Sequence, residues 1–386
     1  MNKPSKYFEL KLVKPQFDSK LTDYIMKLNA LKSKRLEGDT PPWIFFQIKD
    51  IFHFLESIGS ARIEGNHTSL AKAIDRKIEQ VSDKDKKDEK FIEIENMEKA
   101  LRFIEENDNH PINRALVSEI HKIITEKLSV KNEGCRQPGC YRTDSVVINK
   151  SKHIPPDASF VENHMRELFE FIADNSHSEK FHLIKIALAH HRFAWIHPFE
   201  NGNGRTVRAL TYAMLVQYGF KVDVGRILNP TAVFCNNRDL YYTALSWADT
   251  GDDKGLLAWC EYVCKGLSRE IEKIDNLLNY EFLNKKILIP CLADAKSKDA
   301  ISDRDTKVLN YMIKNKCYIK TGELKQVLDI TKNSTRAAVI RKMKHEKLIK
   351  KINPGYTINF ASGPLLRFLM NELYENDFIP NSLYNE

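Results

Sequence analysis

No regular helix passes through His197-Pro198-Phe199-Glu200-Asn201-Gly202-Asn203-Gly204, yet helical apolar patterns flank this run on both sides. Before it, Leu183, Ile186, Ala187, His190 and Ala194 recur at helical spacing and predict a core helix over 182–195 that delivers His197 at its end. After it, residues 205–217 are rich in Ala, Leu, Val and Met and predict a second helix. Pro198 restricts the backbone beside His197, and the two glycines tolerate positive φ. Two helices joined by a glycine-rich turn are thus the unit around which the rest must pack. His190 and His191 read as packing or capping groups, and Phe199 as a core residue that fixes the loop.

The residue types in the turn suit phosphate chemistry. Gly202 and Gly204 lack a Cβ, so backbone N–H groups can approach an anion closely. Asn203 between them can donate from its amide. The helix that follows then has a glycine-lined N-terminus, where free N–H groups and the dipole favour negative charge. Arg205 and Arg208 lie three apart on that helix, and both carry forked donors that match phosphate oxygens. His197 supplies a base that titrates at about pH 6.5 when unperturbed. Each feature alone is ordinary structure: a turn, a histidine before proline, a solvated helix face. In this order they suit a hydroxyl attacking a nucleotide phosphate.

The run resembles the signature of the Fic family, His-x-Phe-x-(Asp/Glu)-Gly-Asn-Gly-Arg-x-x-Arg, with Asn201 at the carboxylate position. The resemblance implies transfer of AMP from ATP to Ser, Thr or Tyr hydroxyls of proteins, this chain included. It makes His197 the catalytic base and puts ATP on Gly202, Asn203, Gly204, Arg205, Thr206, Val207 and Arg208. Pro138-Gly139-Cys140-Tyr141-Arg142, Val146-Val147-Ile148 and His153-Ile154-Pro155-Pro156 resemble the flap before the Fic motif. In that family the flap holds a protein target by strand addition, and the β-branched stretch predicts a short hairpin. Asn237-Arg238-x-x-Tyr241-Tyr242 resembles the adenosine-side segment; Tyr241 and Tyr242 either border the nucleotide or are core aromatics.

Ser60-Ala61-Arg62-Ile63-Glu64-Gly65-Asn66 matches the family's inhibitory motif, (Ser/Thr)-x-x-x-Glu-(Gly/Asn), here N-terminal to the catalytic run. Thr40 and Pro41-Pro42 mark a helix start. Ile44, Ile48, Ile51, Leu55 and Ile58 form its apolar stripe, and Gly65 stops it. Glu64 in the last turn opposes the helix dipole and needs a cation. The resemblance pairs it with Arg208, the arginine that otherwise takes the γ-phosphate. ATP would then bind with its α-phosphate turned from attack. The plainer reading of Glu64 is a surface ion pair.

The family's carboxylate at the position of Asn201 binds Mg²⁺. That ion prefers hard oxygen ligands, and a neutral amide is a weak one. Glu200 is adjacent but one residue out of register in a tight loop. The expectation is Mg²⁺ held mainly by ATP and partly by Asn201 Oδ1.

Residues 301–386 change character. Helices are predicted from Asp305 to Ile313, from Thr321 to Leu328, and from Thr331 or Asn333 to Glu346. Leu348-Ile349-Lys350-Lys351-Ile352 and Tyr356-Thr357-Ile358, joined by Asn353-Pro354-Gly355, predict a hairpin. Three helices and a hairpin resemble a winged helix. Between 301 and 351, fourteen Lys and Arg stand against five Asp and Glu, a larger excess than the formal +8 of the whole chain. DNA is one partner that fits this asymmetry; protein docking or dimerisation is the other.

At 386 residues, 42% hydrophobic and 29% charged, the composition is that of a soluble globular protein of two or three domains. No apolar stretch is long enough for a bilayer, and the start, Met1-Asn2-Lys3-Pro4-Ser5-Lys6-Tyr7, lacks a signal-peptide core, so a cytoplasmic place without membrane partners is expected. Seven scattered cysteines fit no zinc template and read as reduced thiols. The mixed-charge run from Ser82 to Lys90 reads as a solvated loop or helix start. The expected fold is mainly α: a Fic-type helical core with a β-hairpin flap, plus a C-terminal winged-helix-like domain. The expected divisions are an N-terminal helical region with the inhibitory motif over 1–110, the core over 111–265, a linker helix over 266–300, and the C-terminal domain over 301–386. The expected function is an autoinhibited protein adenylyltransferase, with homo-oligomerisation as one route of relief. Three alternatives stand: removal of AMP by a water that Glu64 positions, another nucleotide donor such as UTP, or a DNA-binding regulator that only senses nucleotide.

Overall fold

The computed structural model describes residues 7–33, 39–79, 88–148, 153–220 and 230–384. They are mainly helical, and they include one small antiparallel sheet. The chain divides into two compact units. One comprises Met1–Arg35, Glu56–His67 and Lys86–Glu272; the other comprises Leu36–Leu55, Thr68–Asp85 and Lys273–Glu386. The N-terminal region read as residues 1–110 is therefore shared between both. Among the described residues no helix is long and apolar enough to cross a membrane; six of the seven cysteines are buried and Cys140 is exposed.

The first unit is built on the expected helix pair, His182–Ile196 and Asn203–Gln217. Both are buried on nearly every side, and their charged residues, Lys185, Arg192, Arg205 and Arg208 among them, are buried with the apolar ones. Phe193, Ile196, Phe199 and Leu210 are 0–1% exposed, and each such side chain contributes roughly 1.5–3 kcal/mol by leaving water. Helices Glu89–Glu106, Arg114–Thr125 and Ala158–Ala173 pack around the pair. Their starts follow local chemistry. Asp88 Oδ1 accepts from Lys90 N at 3.0 Å, Asn113 Oδ1 from Leu116 N at 3.1 Å, and Asp157 Oδ1 from Ser159 N at 2.9 Å. Of the charge run at 82–90, the part before Asp88 lies outside the described residues, and Asp88 caps the helix that follows.

His190 is a packing group, as read. Tyr241 Oη donates to its Nε2 at 2.9 Å, its Nδ1–H donates to Thr211 Oγ1 at 2.7 Å, and Thr211 Oγ1 donates to Val207 O at 2.8 Å. This is the tautomer in which every member of the buried chain is satisfied.

The flap departs from the expected hairpin. Its tip, 149–152, lies outside the described residues, and neither Val146–Ile148 nor 153–156 forms a strand. Pro155 and Pro156 have no N–H to give a ladder. The two limbs are joined instead by one side chain: Arg142 donates from Nη1 to Asp144 O at 2.9 Å and from Nη2 to Pro156 O at 2.6 Å.

In the second unit, helices Asp303–Lys314, Leu324–Leu328 and Asn333–His345 appear where they were expected. The hairpin is β2 (Ile349–Ile352) and β3 (Gly355–Ile358), and a short strand not foreseen, β1 (Tyr318–Ile319), pairs with β3. The antiparallel order is β1-β3-β2, in register Tyr318↔Thr357 and Lys350↔Thr357. Residues 42–55 of helix Pro42–Ile63 buttress the sheet. Gln47 donates to Ile358 O at 2.9 Å and accepts from Phe360 N at 2.8 Å, while Trp43 donates to Lys316 O at 3.0 Å. Helix Leu365–Glu375 packs on Ile289–Ser297.

Candidate active site

His197 ends its helix in the left-handed region, at φ 52°, with its N–H on Phe193 O at 2.9 Å. Pro198 keeps it out of the right-handed helical region. The turn beyond is locked by its own side chains. Asn203 accepts from Phe199 N at 2.8 Å and donates to Phe199 O at 2.9 Å. Gly202 takes φ 74°, which L side chains seldom adopt, and Thr206 Oγ1 donates to its carbonyl at 2.8 Å. Helix Asn203–Gln217 therefore begins at a fixed place beside His197.

Two supports come from elsewhere in the unit. His121 stacks on Phe199 at 3.8 Å, donates from Nε2 to Asn201 O at 2.9 Å and accepts from Gly139 N at Nδ1 at 2.8 Å. Burial pushes its pKa down to about 4, so the ring is neutral as these bonds require. Arg142 donates from Nε to His197 O at 2.9 Å, and its backbone N–H reaches Pro198 O at 2.9 Å. It ties the flap limbs to the turn after His197. The sequence marked Arg142 only as part of the flap and missed His121, whose buried place in an amphipathic helix gave no separate signal.

A cavity of about 400 Å³ opens at this turn, lined by His197, Asn203, Gly204, Val207, Arg208, Tyr241 and Tyr242 among others, with Glu64 at its edge. Glu64 Oε1 accepts from Arg208 Nη2 at 2.8 Å, and a Cβ at Gly204 would collide with the same oxygen. The carboxylate thus lies against the N-terminal turn of the helix, where an anion is favoured. Ser60 completes the arrangement: its Oγ accepts from Arg208 Nε and its carbonyl from Nη2, both at 2.9 Å. Burial penalises the charge of Glu64, but Arg208 outweighs it and holds the carboxyl below its usual range. Burial also pushes His197 down to about 4, opposed by the Ala194 carbonyl and Glu64. The imidazole is therefore neutral at pH 7 and free to take a proton.

Several expected site residues are bonded within the protein. Gly202, Asn203 and Thr206 hold the turn with their own bonds. Arg205 does not line the cavity; its fully buried guanidinium donates to Glu133 O at 2.9 Å and Glu133 Oε2 at 2.7 Å, with Glu93 Oε1 3.3 Å away. Burial raises the carboxyls of both partners, Glu93 to about 7, despite the arginine. Tyr241 is 2% exposed and committed to His190, whereas Tyr242 is half-buried beside Arg238.

Asn201 is the expected metal ligand. Its Oδ1 accepts from Gly202 N at 2.7 Å and its Nδ2 donates to Asn132 O at 2.9 Å, so the amide is turned into the loop. Glu200 is paired with Arg136 at 2.5 Å on the flap side. No carboxylate on the turn faces the cavity, and the described residues hold no group of three metal-ligating side chains. This donor set does not fit Mg²⁺, which favours carboxylate oxygens.

A second hollow, of about 300 Å³, runs along the flap between Arg136, Tyr141, Arg142, Asp144, Val146 and Glu200. Val147 beside it is 89% exposed.

Residues 111–215 match the Fic/DOC family. Among curated proteins, the protein adenylyltransferase Fic of Aedes aegypti is 30% identical over 209 residues, 52% of this chain and 38% of that protein. Protein adenylyltransferase fic-1 of Caenorhabditis briggsae is 26% identical over 185 residues, 47% of this chain and 33% of that one. The chain thus spans about a third of the length of these relatives. A Fic family protein from Desulfovibrio desulfuricans has a similar fold, with a TM-score of 0.55 at 17% identity, covering 91% of this chain and 98% of that one. Fic-1 of Caenorhabditis elegans aligns with a TM-score of 0.52 at 22% identity over 66% of this chain and 71% of its own.

Proposed function

This chain belongs to the Fic/DOC family, and on that premise we propose that it is a protein adenylyltransferase whose donor site Glu64 holds shut. The observation that carries the reading is the seat of Glu64: on Arg208 and against Gly204, beside His197, in one cavity. A triphosphate bound along the helix N-terminus would need Arg208 for its γ-phosphate, and Glu64 competes for that guanidinium. With Glu64 withdrawn, the phosphates lie over Gly204 and Arg208, and the adenosine reaches toward Tyr242. Arg205 supports the turn from behind, through Glu133.

The chemistry then follows. A Ser, Thr or Tyr hydroxyl of a protein target, seated along the flap hollow, meets the α-phosphorus. The new O–P bond forms as the bond from that phosphorus to the bridging oxygen of pyrophosphate breaks in line. The hydroxyl proton passes to the neutral imidazole of His197, a contribution of typically 10²–10⁴-fold for a placed general base. Backbone N–H groups at the helix start and Arg208 meet the charge on the phosphates.

The test uses ATP labelled at the α-phosphate, with wild type, Glu64→Gly and His197→Ala. Label on protein should be at least about tenfold stronger in Glu64→Gly than in wild type and absent from His197→Ala. A Glu64→Gly protein that binds ATP but transfers no label would end this reading.

A further inference from the structure

The basic segment of the second unit plays no part in the chemistry above. Helix Asn333–His345 carries no acidic residue along its thirteen positions. Arg336, Val339, Ile340 and Met343 are buried and form its inner side. The opposite side is exposed. Its midline runs Ser334, Ala338, Arg341 and His345, one helical face by spacing. Thr335 and Ala337 flank it near the start, Lys342 and Lys344 near the end. Lys342 is 3.3 Å from Glu346, whereas Arg341 and Lys344 face no acidic partner among the described residues. Lys332 is exposed just before the helix and Lys351 on β2. Lys350 is half-buried near Asp50 and adds nothing to the open surface.

We propose that this side of helix Asn333–His345 inserts into the major groove of duplex DNA. A helix with side chains is about 10–12 Å across and the groove about 12 Å wide, so the entering side must be lined by small residues. Ser334, Thr335, Ala337 and Ala338 meet that demand at the N-terminal half. The two hydroxyls can bond base edges, and the alanines can touch thymine methyls. Arg341 can fork onto guanine, while Lys332, Lys344 and Lys351 lie where backbone phosphates flank a groove-bound helix. The approach is held rigid, because the Arg336 guanidinium donates to Ile330 O at 2.8 Å, to Thr331 O at 2.6 Å and to Asn333 Oδ1. A protein partner fits less well. Interface cores depend on large apolar or aromatic anchors, and none of the exposed ones among the described residues lies between 303 and 360. Double-stranded RNA is also disfavoured, since its major groove is too narrow to admit side chains.

Fluorescence anisotropy of the full chain with a labelled 30-base-pair duplex of mixed sequence tests this. Wild type should bind at 50 mM salt and on the order of 100-fold more weakly at 200 mM, the loss for three or four neutralised phosphates. Arg341→Glu with Lys344→Glu should weaken binding at 50 mM at least about tenfold, and so should Ala338→Glu, with thermal melts unchanged. Lys14→Glu with Lys180→Glu, the same charge change on exposed lysines of the first unit, should stay within about twofold. No binding at 50 mM overturns the proposal. Equal losses in the two double variants overturn it too, by reducing the effect to net charge. An unchanged Ala338→Glu removes groove insertion, and polyglutamate bound as tightly as DNA assigns the face to an acidic protein instead.

Discussion

Asn201 stands at the carboxylate position of the signature and does a structural task there. Its two bonds, to Gly202 N–H and Asn132 O, close the turn onto the neighbouring loop. An aspartate cannot make the second bond, because it has no hydrogen to offer and would face a carbonyl with a charged oxygen. The Asn201→Asp side chain should therefore leave the loop and turn toward the cavity, where it adds the oxygen ligand that the native residue withholds. Binding of ATP with Mg²⁺, measured by calorimetry, should tighten about tenfold, or roughly 1.4 kcal/mol, while binding of ATP in EDTA weakens. An unchanged ratio between the two conditions would show that this position never reaches the metal of a bound nucleotide. The pairing of Glu64 with Arg208 was legible at the same scale, because two short motifs named both residues. The direction of the Asn201 amide was not, since it depends on a carbonyl 69 residues away.

Arg205 and Arg208 show what a helix pattern leaves open. Three residues apart, they share one side of helix Asn203–Gln217, and spacing alone gives both the same neighbours. Their partners differ because the surrounding elements do. Ser60 and Glu64 close over Arg208, while Glu93 from helix Glu89–Glu106 and Glu133 from a loop take Arg205. Those partners lie 72 or more residues away, so no local period records them. Arg205→Ala would leave Glu93, 3% exposed, without its cation, whereas Glu133 is open enough to find water. Removing one member of a buried pair costs about 3–5 kcal/mol, and protonation of Glu93 tempers that. The first unit should lose roughly 3 kcal/mol, a fall in Tm of about 6–12 °C, with ATP affinity little changed in the folded protein. A Tm within about 2 °C of wild type, together with much weaker ATP binding, would put Arg205 on the phosphates after all. The flap fell outside pattern reasoning for a related reason. Alternating β-branched residues suggested a hairpin, but Pro155, Pro156 and the Arg142 guanidinium satisfy the backbone in another way.

Across the whole molecule, the segments that announced themselves were those whose information is local: the helix pair, the helices between 303 and 345, and the β2–β3 hairpin. The division into two units was not readable, because residues 36–55 and 68–85 join the C-terminal part through contacts that span the chain. The same long-range folding buries carboxyls in a protein that is basic in sum, with a formal charge of +8. Glu56 is 0% exposed against Thr231, accepting from its backbone N–H at 2.9 Å and from its hydroxyl, and burial pushes it up to about 8. Glu93 is pushed up to about 7. In the unfolded chain both carboxyls titrate near 4.3, at roughly the ordinary glutamate value. Between those limits the folded protein binds protons that the unfolded chain has released, so stability falls as pH rises. The contribution is complete below the unfolded value and is lost progressively up to about pH 8. For Glu56 the loss is on the order of 5 kcal/mol. Glu56→Gln keeps an oxygen to accept from Thr231 and removes the titration. Its Tm should match wild type at pH 5 and exceed it by several degrees at pH 8. Two curves that run parallel between these values would mean that Glu56 is already ionised in the folded protein, stabilised by the nearby Arg208 more strongly than burial opposes it.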